Sequence, residues 1–236
     1  MNSWEHGMSP AQVKKLDSGH YHKSIGEKYA NTTFSVLREG EVMWWLDGKL
    51  NVPQVIELGR KCCGEFLVMT TLGGKHIDEF KENPIEYAKH LANCIKLLQS
   101  IDISECSFDS GVDFQLSELK FLMDNNLHST DDWEKTTDFH NAQELYEWLY
   151  INKPKDEELV FSHGDLTANF FVADDGYYFY DLGRAGKADK WLDIAFCVSD
   201  LRDIGDEYVN NFFHLLGVKN PNWQKIEYFI LLDEMF

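Results

Sequence analysis

Residues 160–183 read VFSHGDLTANFFVADDGYYFYDLG. A strand-like run (Leu159, Val160, Phe161) leads into His163-Gly164-Asp165, and Asn169 follows four residues after the aspartate. The runs Phe170-Phe171-Val172 and Tyr177-Tyr178-Phe179-Tyr180 flank Asp174-Asp175-Gly176, a hairpin signal, and Asp181-Leu182-Gly183 closes the stretch. Two aspartates, Asp165 and Asp181, and one amide, Asn169, therefore stand on turns between apolar runs, where they can converge on a divalent metal. Phosphoryl transfer needs such a set. One aspartate receives the acceptor hydroxyl's proton, while the amide and the second aspartate hold Mg2+ against the nucleotide phosphates. The stretch reads as the centre of a small-molecule kinase.

The rest of the chain is compatible with that reading. With 236 residues it can bury a sizeable core as one large domain or two unequal parts. Apolar residues make up 44% and charged residues 26%, and no apolar run approaches the roughly 18 residues that a membrane span requires. The start, MNSWEHGMSP, lacks a basic segment followed by an apolar one, so no secretory signal is expected. Cys62, Cys63, Cys94, Cys106 and Cys197 show no metal-ligand spacing, and their odd number argues against a disulfide framework; a reducing cytoplasm is expected. A net charge of −18 disfavours nucleic acid and anionic membranes as partners and favours a cationic one, although acidity also serves solubility alone.

Taken in order, the chain predicts a nucleotide-binding part over residues 1–72 and a catalytic and substrate-binding part over 73–236, joined by a short hinge near Met69 to Gly74. In the first, Asp17-Ser18-Gly19 turns Lys14-Lys15-Leu16 back onto Tyr21-His22-Lys23. Phe34, Val36, Leu37, Val42, Met43, Trp44 and Leu46 recur at helical spacing over residues 32–46, and strands are expected at 54–58 and 65–71. In the second, Asn83-Pro84 with Glu86 starts a helix whose apolar face is Ile85, Ala88, Leu91, Ile95 and Leu98. Further helices are expected at about 113–125, 142–151, 190–202, 206–216 and 222–235. In the last of these, Trp223, Ile226 and Ile230 form an inward row that Asp233 continues, followed by Glu234 and the carboxylate of Phe236. Acids at a helix C-terminus each cost on the order of 0.3–1 kcal/mol against the macrodipole, so a counter-cation is expected there unless the terminus frays.

Lys23 on a strand and Glu39 on the following helix form the expected pair that brings an ammonium to nucleotide phosphates. Any strand lysine and helix glutamate would satisfy the pattern, and as a surface pair it would be worth little. His163 is read as a structural histidine of the loop, because Asp165 suits an alcohol acceptor better.

Taken together, the motifs resemble the aminoglycoside phosphotransferases, in particular the 3'-O-phosphotransferases that inactivate kanamycin-like antibiotics. The resemblance runs from about Met8 to Phe236. It is carried by Met8-Ser9-Pro10, Arg38-Glu39, Val52-Pro53, Leu97-Leu98-Gln99-Ser100-Ile101 and Val160 to Asp165. It continues in Asp181-Leu182-Gly183-Arg184, Ala188-Asp189-Lys190-Trp191 with Asp193-Ile194-Ala195-Phe196-Cys197, and Leu231 to Phe236.

The resemblance implies an α+β, bilobal protein-kinase-like fold, with a small sheet-rich N-lobe and a larger helical C-lobe that bind ATP and Mg2+. It makes Asp165 the catalytic aspartate, and Asn169 and Asp181 the magnesium ligands. Lys23, held by Glu39, would meet the ATP phosphates, with Ser9 in the loop above them. Tyr21 would lie against the adenine, Thr70 and Leu72 would offer it backbone groups, and Met69 would sit behind them. Asp131, Glu134, Asp233, Glu234 and the Phe236 carboxylate would form the acidic floor for the cationic aminoglycoside, with Arg184 near the reacting centre.

Three departures stand out. Only Leu166, Thr167 and Ala168 separate Asp165 from Asn169, where the family usually has four residues; few residues precede Met8; and Asp131 stands where a glutamate is common. Two other readings stay open on sequence alone: a kinase of another small alcohol (a macrolide, choline or a sugar), and a non-catalytic aminoglycoside-binding protein with a defective N-lobe.

Overall fold

The computed structural model describes residues 10–128 and 139–236; of the candidate site residues, Ser9, Asp131 and Glu134 lie outside these. The chain forms two compact units. One is Met1–Glu79 together with Ala168–Ala185, the other Phe80–Thr167 together with Gly186–Phe236. Strands and helices are numbered in chain order.

The first unit is built on an antiparallel sheet of β1 (Gln12–Lys15), β2 (Tyr21–Gly26), β3 (Val55–Lys61) and β4 (Gly64–Met69), in the order β1-β2-β4-β3. The expected first hairpin forms. Its turn closes with the Leu16 amide donating to the His20 carbonyl at 2.8 Å, and Gly19 takes the left-handed φ of 86° that the turn requires. β4 lies between two partners and is buried along most of its length, whereas the edge strand β1 is exposed throughout and carries two lysines. Helix α1 (Val36–Leu46) starts later than the periodicity suggests. Ser35 accepts the Arg38 amide at 3.2 Å as its N-cap, and Thr32 to Phe34 are held in a turn by the Thr32 hydroxyl, which donates to the Tyr29 carbonyl. Val36, Val42, Met43 and Leu46 are buried, but Trp44, counted among the helical apolar positions, is 57% exposed. A second sheet, β5 (Lys75–His76), β7 (Phe170–Ala173) and β8 (Gly176–Phe179), completes the unit, with the Asp174-Asp175-Gly176 turn joining β7 to β8 as expected.

The second unit is mainly helical. Its helices are α2 (Pro84–Gln99), α3 (Val112–Asp124), α4 (Ala142–Asn152), α5 (Leu192–Arg202), α6 (Asp206–Leu216) and α7 (Trp223–Asp233), with a short ladder of β6 (Leu159–Ser162) and β9 (Gly186–Asp189). α2 packs on α6 and α5, and α7 packs on α5 and α4. Tyr87, Leu91, Cys94, Ile95 and Leu98 of α2 are buried, but Ile85 is 65% exposed because it stands in the first turn, off the packed face. Asn83 does not cap the backbone either; its side-chain amide donates to Glu86 Oε2 at 3.1 Å. In α7 the inward row is Ile226, Phe229 and Leu232. Trp223, expected in that row, is 43% exposed at the helix start, edge-on to Phe213 and under the Arg202 guanidinium. α6 ends in a left-handed cap, with Gly217 at φ 76° and the Val218 amide donating to Phe213.

Truncating the packed face of α2 should be costly where truncating its first turn is not. Leu91→Ala should lower unfolding stability by about 2–5 kcal/mol, and Ile85→Ala by no more than about 0.5 kcal/mol. Urea titration is the check: the midpoint should fall for the first variant with the slope unchanged.

Candidate active site

In the first unit the site begins with a buried charge. β2 alternates inward and outward, and that alternation turns Lys23 and Ile25 into the interior. Lys23 is 6% exposed, with Nζ 2.8 Å from Glu39 Oε2 and 2.6 Å from Asp181 Oδ1. Burial by itself would lower the ammonium's pKa, but the Asp181 and Glu39 carboxylates outweigh it and hold the group above its ordinary value. Burial raises the pKa of Glu39, and the adjacent Lys23 draws it back. The pair that sequence alone allowed to be a weak surface contact is thus an interior one, and Asp181 makes it a triad.

Several local features fix Asp181 and Asn169. Asp181 itself adopts a left-handed φ of 56°, uncommon for a residue with a side chain. The loop after it is held by α1, with Arg38 Nε donating to the Gly183 carbonyl at 2.8 Å and Nη2 to the Ala185 carbonyl at 3.1 Å. Gly183 has to be glycine, because a Cβ there would come within 2.3 Å of the Thr33 carbonyl. At the open end of the β7–β8 hairpin, the Tyr180 amide donates to the Asn169 carbonyl at 3.1 Å, which brings Asn169 level with the residue preceding Asp181. The residue before Asn169 is clamped as well. His76 Nε2 donates to the Ala168 carbonyl at 2.8 Å, and the Tyr180 hydroxyl donates to the same carbonyl at 2.8 Å. On the other side of the ring, Nδ1 lies 3.3 Å from both the Asp78 amide and Asp78 Oδ2.

A carboxylate and an amide oxygen are hard donors suited to Mg2+, which keeps several waters and is held by one or two protein groups plus substrate phosphates. Among the described residues no cluster of three or more histidine, cysteine, aspartate or glutamate side chains could hold a metal ion by itself, so a site completed by phosphate oxygens fits this donor set. Of the candidate nucleotide contacts, Tyr21 lies opposite Met69 across β2 and β4. The Thr70 amide donates to the Gln54 carbonyl at 3.0 Å, so the carbonyl is the backbone group that Thr70 could offer an adenine. Leu72 follows, half-buried between exposed neighbours in the segment before β5, and Arg184, also half-buried, follows Gly183.

In the second unit, Asp165 stands in the loop after β6, half-buried, and Gly164 before it takes φ 78°. The loop is braced from α5. Asp193 accepts the His163 amide at 2.7 Å through Oδ2 and the Gly164 amide at 2.9 Å through Oδ1. His163 is fully buried. Asp233 ends α7, Glu234 follows as its C-cap, and the Phe236 amide donates back to the Asp233 carbonyl at 3.0 Å. The last turn of α7 contains no basic residue, and Asp233 and Glu234 are half-buried at its end.

Arg38, His76, Tyr180 and Asp193 were not singled out as site residues by sequence reasoning. Asp193 had a visible signal, as an acid in the first turn of a helix that is otherwise apolar from Leu192 to Val198. His76 and Tyr180 had none, since their shared target is a backbone carbonyl.

One helix, α1, delivers a glutamate to a buried strand lysine and an arginine to the loop that carries the second aspartate, the working core of a kinase-like phosphotransferase. The chain belongs to the phosphotransferase enzyme family, whose pattern residues 28–229 match. It is 51% identical over 237 residues to the aminoglycoside 3'-phosphotransferase of Campylobacter jejuni, covering 98% of this chain and 94% of that one. To the enzyme of the same name from Enterococcus faecalis it is 47% identical, covering 98% and 91%. The crystal structure of an aminoglycoside-3'-phosphotransferase of type VIII superposes with a TM-score of 0.81 at 24% identity, over 98% of this chain and 92% of that one, which establishes the kinase-like α+β fold.

Two substitutions test the bracing. Asp193→Asn turns one accepting oxygen into a donor facing a buried amide and should cost about 1–3 kcal/mol of stability. Phosphate transfer should fall while nucleotide affinity, measured by calorimetry, is kept. His76→Leu removes one bond to the Ala168 carbonyl, worth about 0.5–1.5 kcal/mol. Mn2+ affinity in the presence of a non-hydrolysable nucleotide, read by paramagnetic resonance, should drop about three- to tenfold, and His76→Gln, which retains an N–H donor, should restore most of it.

Proposed function

We propose that the chain transfers the γ-phosphoryl group of ATP to a hydroxyl of an aminoglycoside, the 3' hydroxyl in particular, giving ADP and an inactive antibiotic phosphate. The observation that carries this reading is the Lys23–Glu39–Asp181 triad, with its lysine and glutamate buried, within a chain about half identical to aminoglycoside 3'-phosphotransferases. Lys23 meets the nucleotide phosphates as a permanently charged group. Its raised pKa means that the ammonium, and the stability it adds, are complete below the pKa of a free lysine and are lost only as pH rises beyond that. Asp165 orients the acceptor hydroxyl and takes its proton. Asn169 and Asp181 would hold Mg2+, which would neutralise charge on the phosphate oxygens. Tyr21, Met69, Thr70 and Leu72 receive the adenine, and Ser9 covers the phosphates.

Asp233, Glu234 and the Phe236 carboxylate, with Asp131 and Glu134, bind the ammonium groups of the drug. Arg184 stands by the reacting centre. The acids gathered at the C-terminal end of α7 favour a polycation over a macrolide, choline or a neutral sugar. No helix among the described residues is long and apolar enough to cross a membrane, and ATP as donor together with free cysteines fits a cytoplasmic enzyme.

With ATP, Mg2+ and kanamycin, ADP release should follow the antibiotic, and Asp165→Ala should reduce it by about 10²–10⁴-fold. Asp233→Asn with Glu234→Gln should raise KM for kanamycin and leave kcat largely intact. An aminoglycoside without a 3' hydroxyl should bind without releasing ADP; equal release from it would place the acceptor elsewhere.

A further inference from the structure

The turn between β3 and β4 carries two adjacent cysteines, Cys62 and Cys63, that no part of the proposed reaction uses. Both side chains are exposed and their Sγ atoms lie 3.4 Å apart. The backbone beneath them is anchored. The Cys63 carbonyl accepts the Glu27 amide at 3.3 Å, and Gly64 follows at φ 156°, where a Cβ would come within 2.0 Å of the Ile25 carbonyl. We infer that the Cys62–Cys63 turn is a chelating dithiol site for trivalent arsenic compounds.

Geometry and ligand number both select this class. A thiophilic atom with bonds of about 2.3 Å to both sulfurs would subtend an angle of about 95° across their 3.4 Å separation. That angle is pyramidal, and narrower than a tetrahedral ion requires. Structural zinc also needs four protein ligands, and among the described residues no third histidine, cysteine, aspartate or glutamate joins the pair. Arsenic that brings its own organic substituent needs only these two thiols. The remaining cysteines, Cys94, Cys106 and Cys197, are buried, and burial pushes the thiols of Cys94 and Cys197 up, away from the reactive thiolate. The capture is a condensation. An aryl arsenoxide forms two As–S bonds, its oxygen leaves as water with the two thiol protons, and arsenic stays trivalent.

The test uses the full chain, reduced with a phosphine and mixed with one equivalent of phenylarsine oxide. Native mass spectrometry should show one phenylarsenic group per chain, mapping to the peptide with Cys62 and Cys63. A dithiol should remove it, and a monothiol in the same excess should not. Cys62→Ser and Cys63→Ser should each weaken retention by about 10²–10⁴-fold, since each leaves a single attachment, and their exposure keeps the fold intact. An adduct on Cys94, Cys106 or Cys197, undiminished retention in either serine variant, or no adduct on the wild-type chain would each overturn the inference.

Discussion

A buried ammonium held between two carboxylates is the constraint to which the first unit is fitted. Removing Lys23 from water costs several kcal/mol, recovered only if both partners are close and fixed. Glu39 and Asp181, at 2.8 and 2.6 Å, meet that condition. Each comes from a different element, so the triad ties β2, α1 and the loop after β8 into one arrangement. Loss of either carboxylate would leave a buried charge short of a partner, a defect usually worth about 3–5 kcal/mol. Electrostatic demand thus aligns Lys23, Glu39 and Asp181 with one another.

Backbone carbonyls and amides do the remaining positioning. Arg38 holds the carbonyls after Asp181, His76 and Tyr180 hold the carbonyl before Asn169, and Asp193 holds the two amides before Asp165. These are loop groups without a ladder partner, and a buried backbone group left unpaired is expensive. Side chains that satisfy them also fix where the chemical groups project. The clamp on Ala168 bears on the shortened segment between Asp165 and Asn169. A loop with one residue fewer has less freedom to aim its amide, and two donors converging on the preceding carbonyl remove what freedom remains.

Much of the element pattern was legible because it is local. The Asp17-Ser18-Gly19 and Asp174-Asp175-Gly176 turns and the helices of the second unit follow from turn chemistry and periodicity, to within a few residues. Burial was read less well at helix ends. Ile85, Trp44 and Trp223 sit at helical spacing yet face solvent, because which face is covered depends on the neighbours that α1, α2 and α7 meet. Asn83 carried a capping signature and bonds to a side chain instead of the backbone, a choice that sequence spacing cannot distinguish.

The sequence by itself determined the kinds of groups available: an aspartate on a glycine turn, an asparagine and an aspartate at the two ends of a hairpin, a strand lysine, a helix glutamate and a run of acids at the last helix. Those are short-range facts written in adjacent residues. Only the tertiary structure decided that Lys23 binds Asp181, 158 positions away, and that residues 168–185 group with the N-terminal unit. It also decided that Asp193 and His76 brace loops distant in sequence. Such contacts are chosen by burial, which depends on the whole packed chain, and by satisfying backbone groups that are identical at every position and so leave no mark in the sequence.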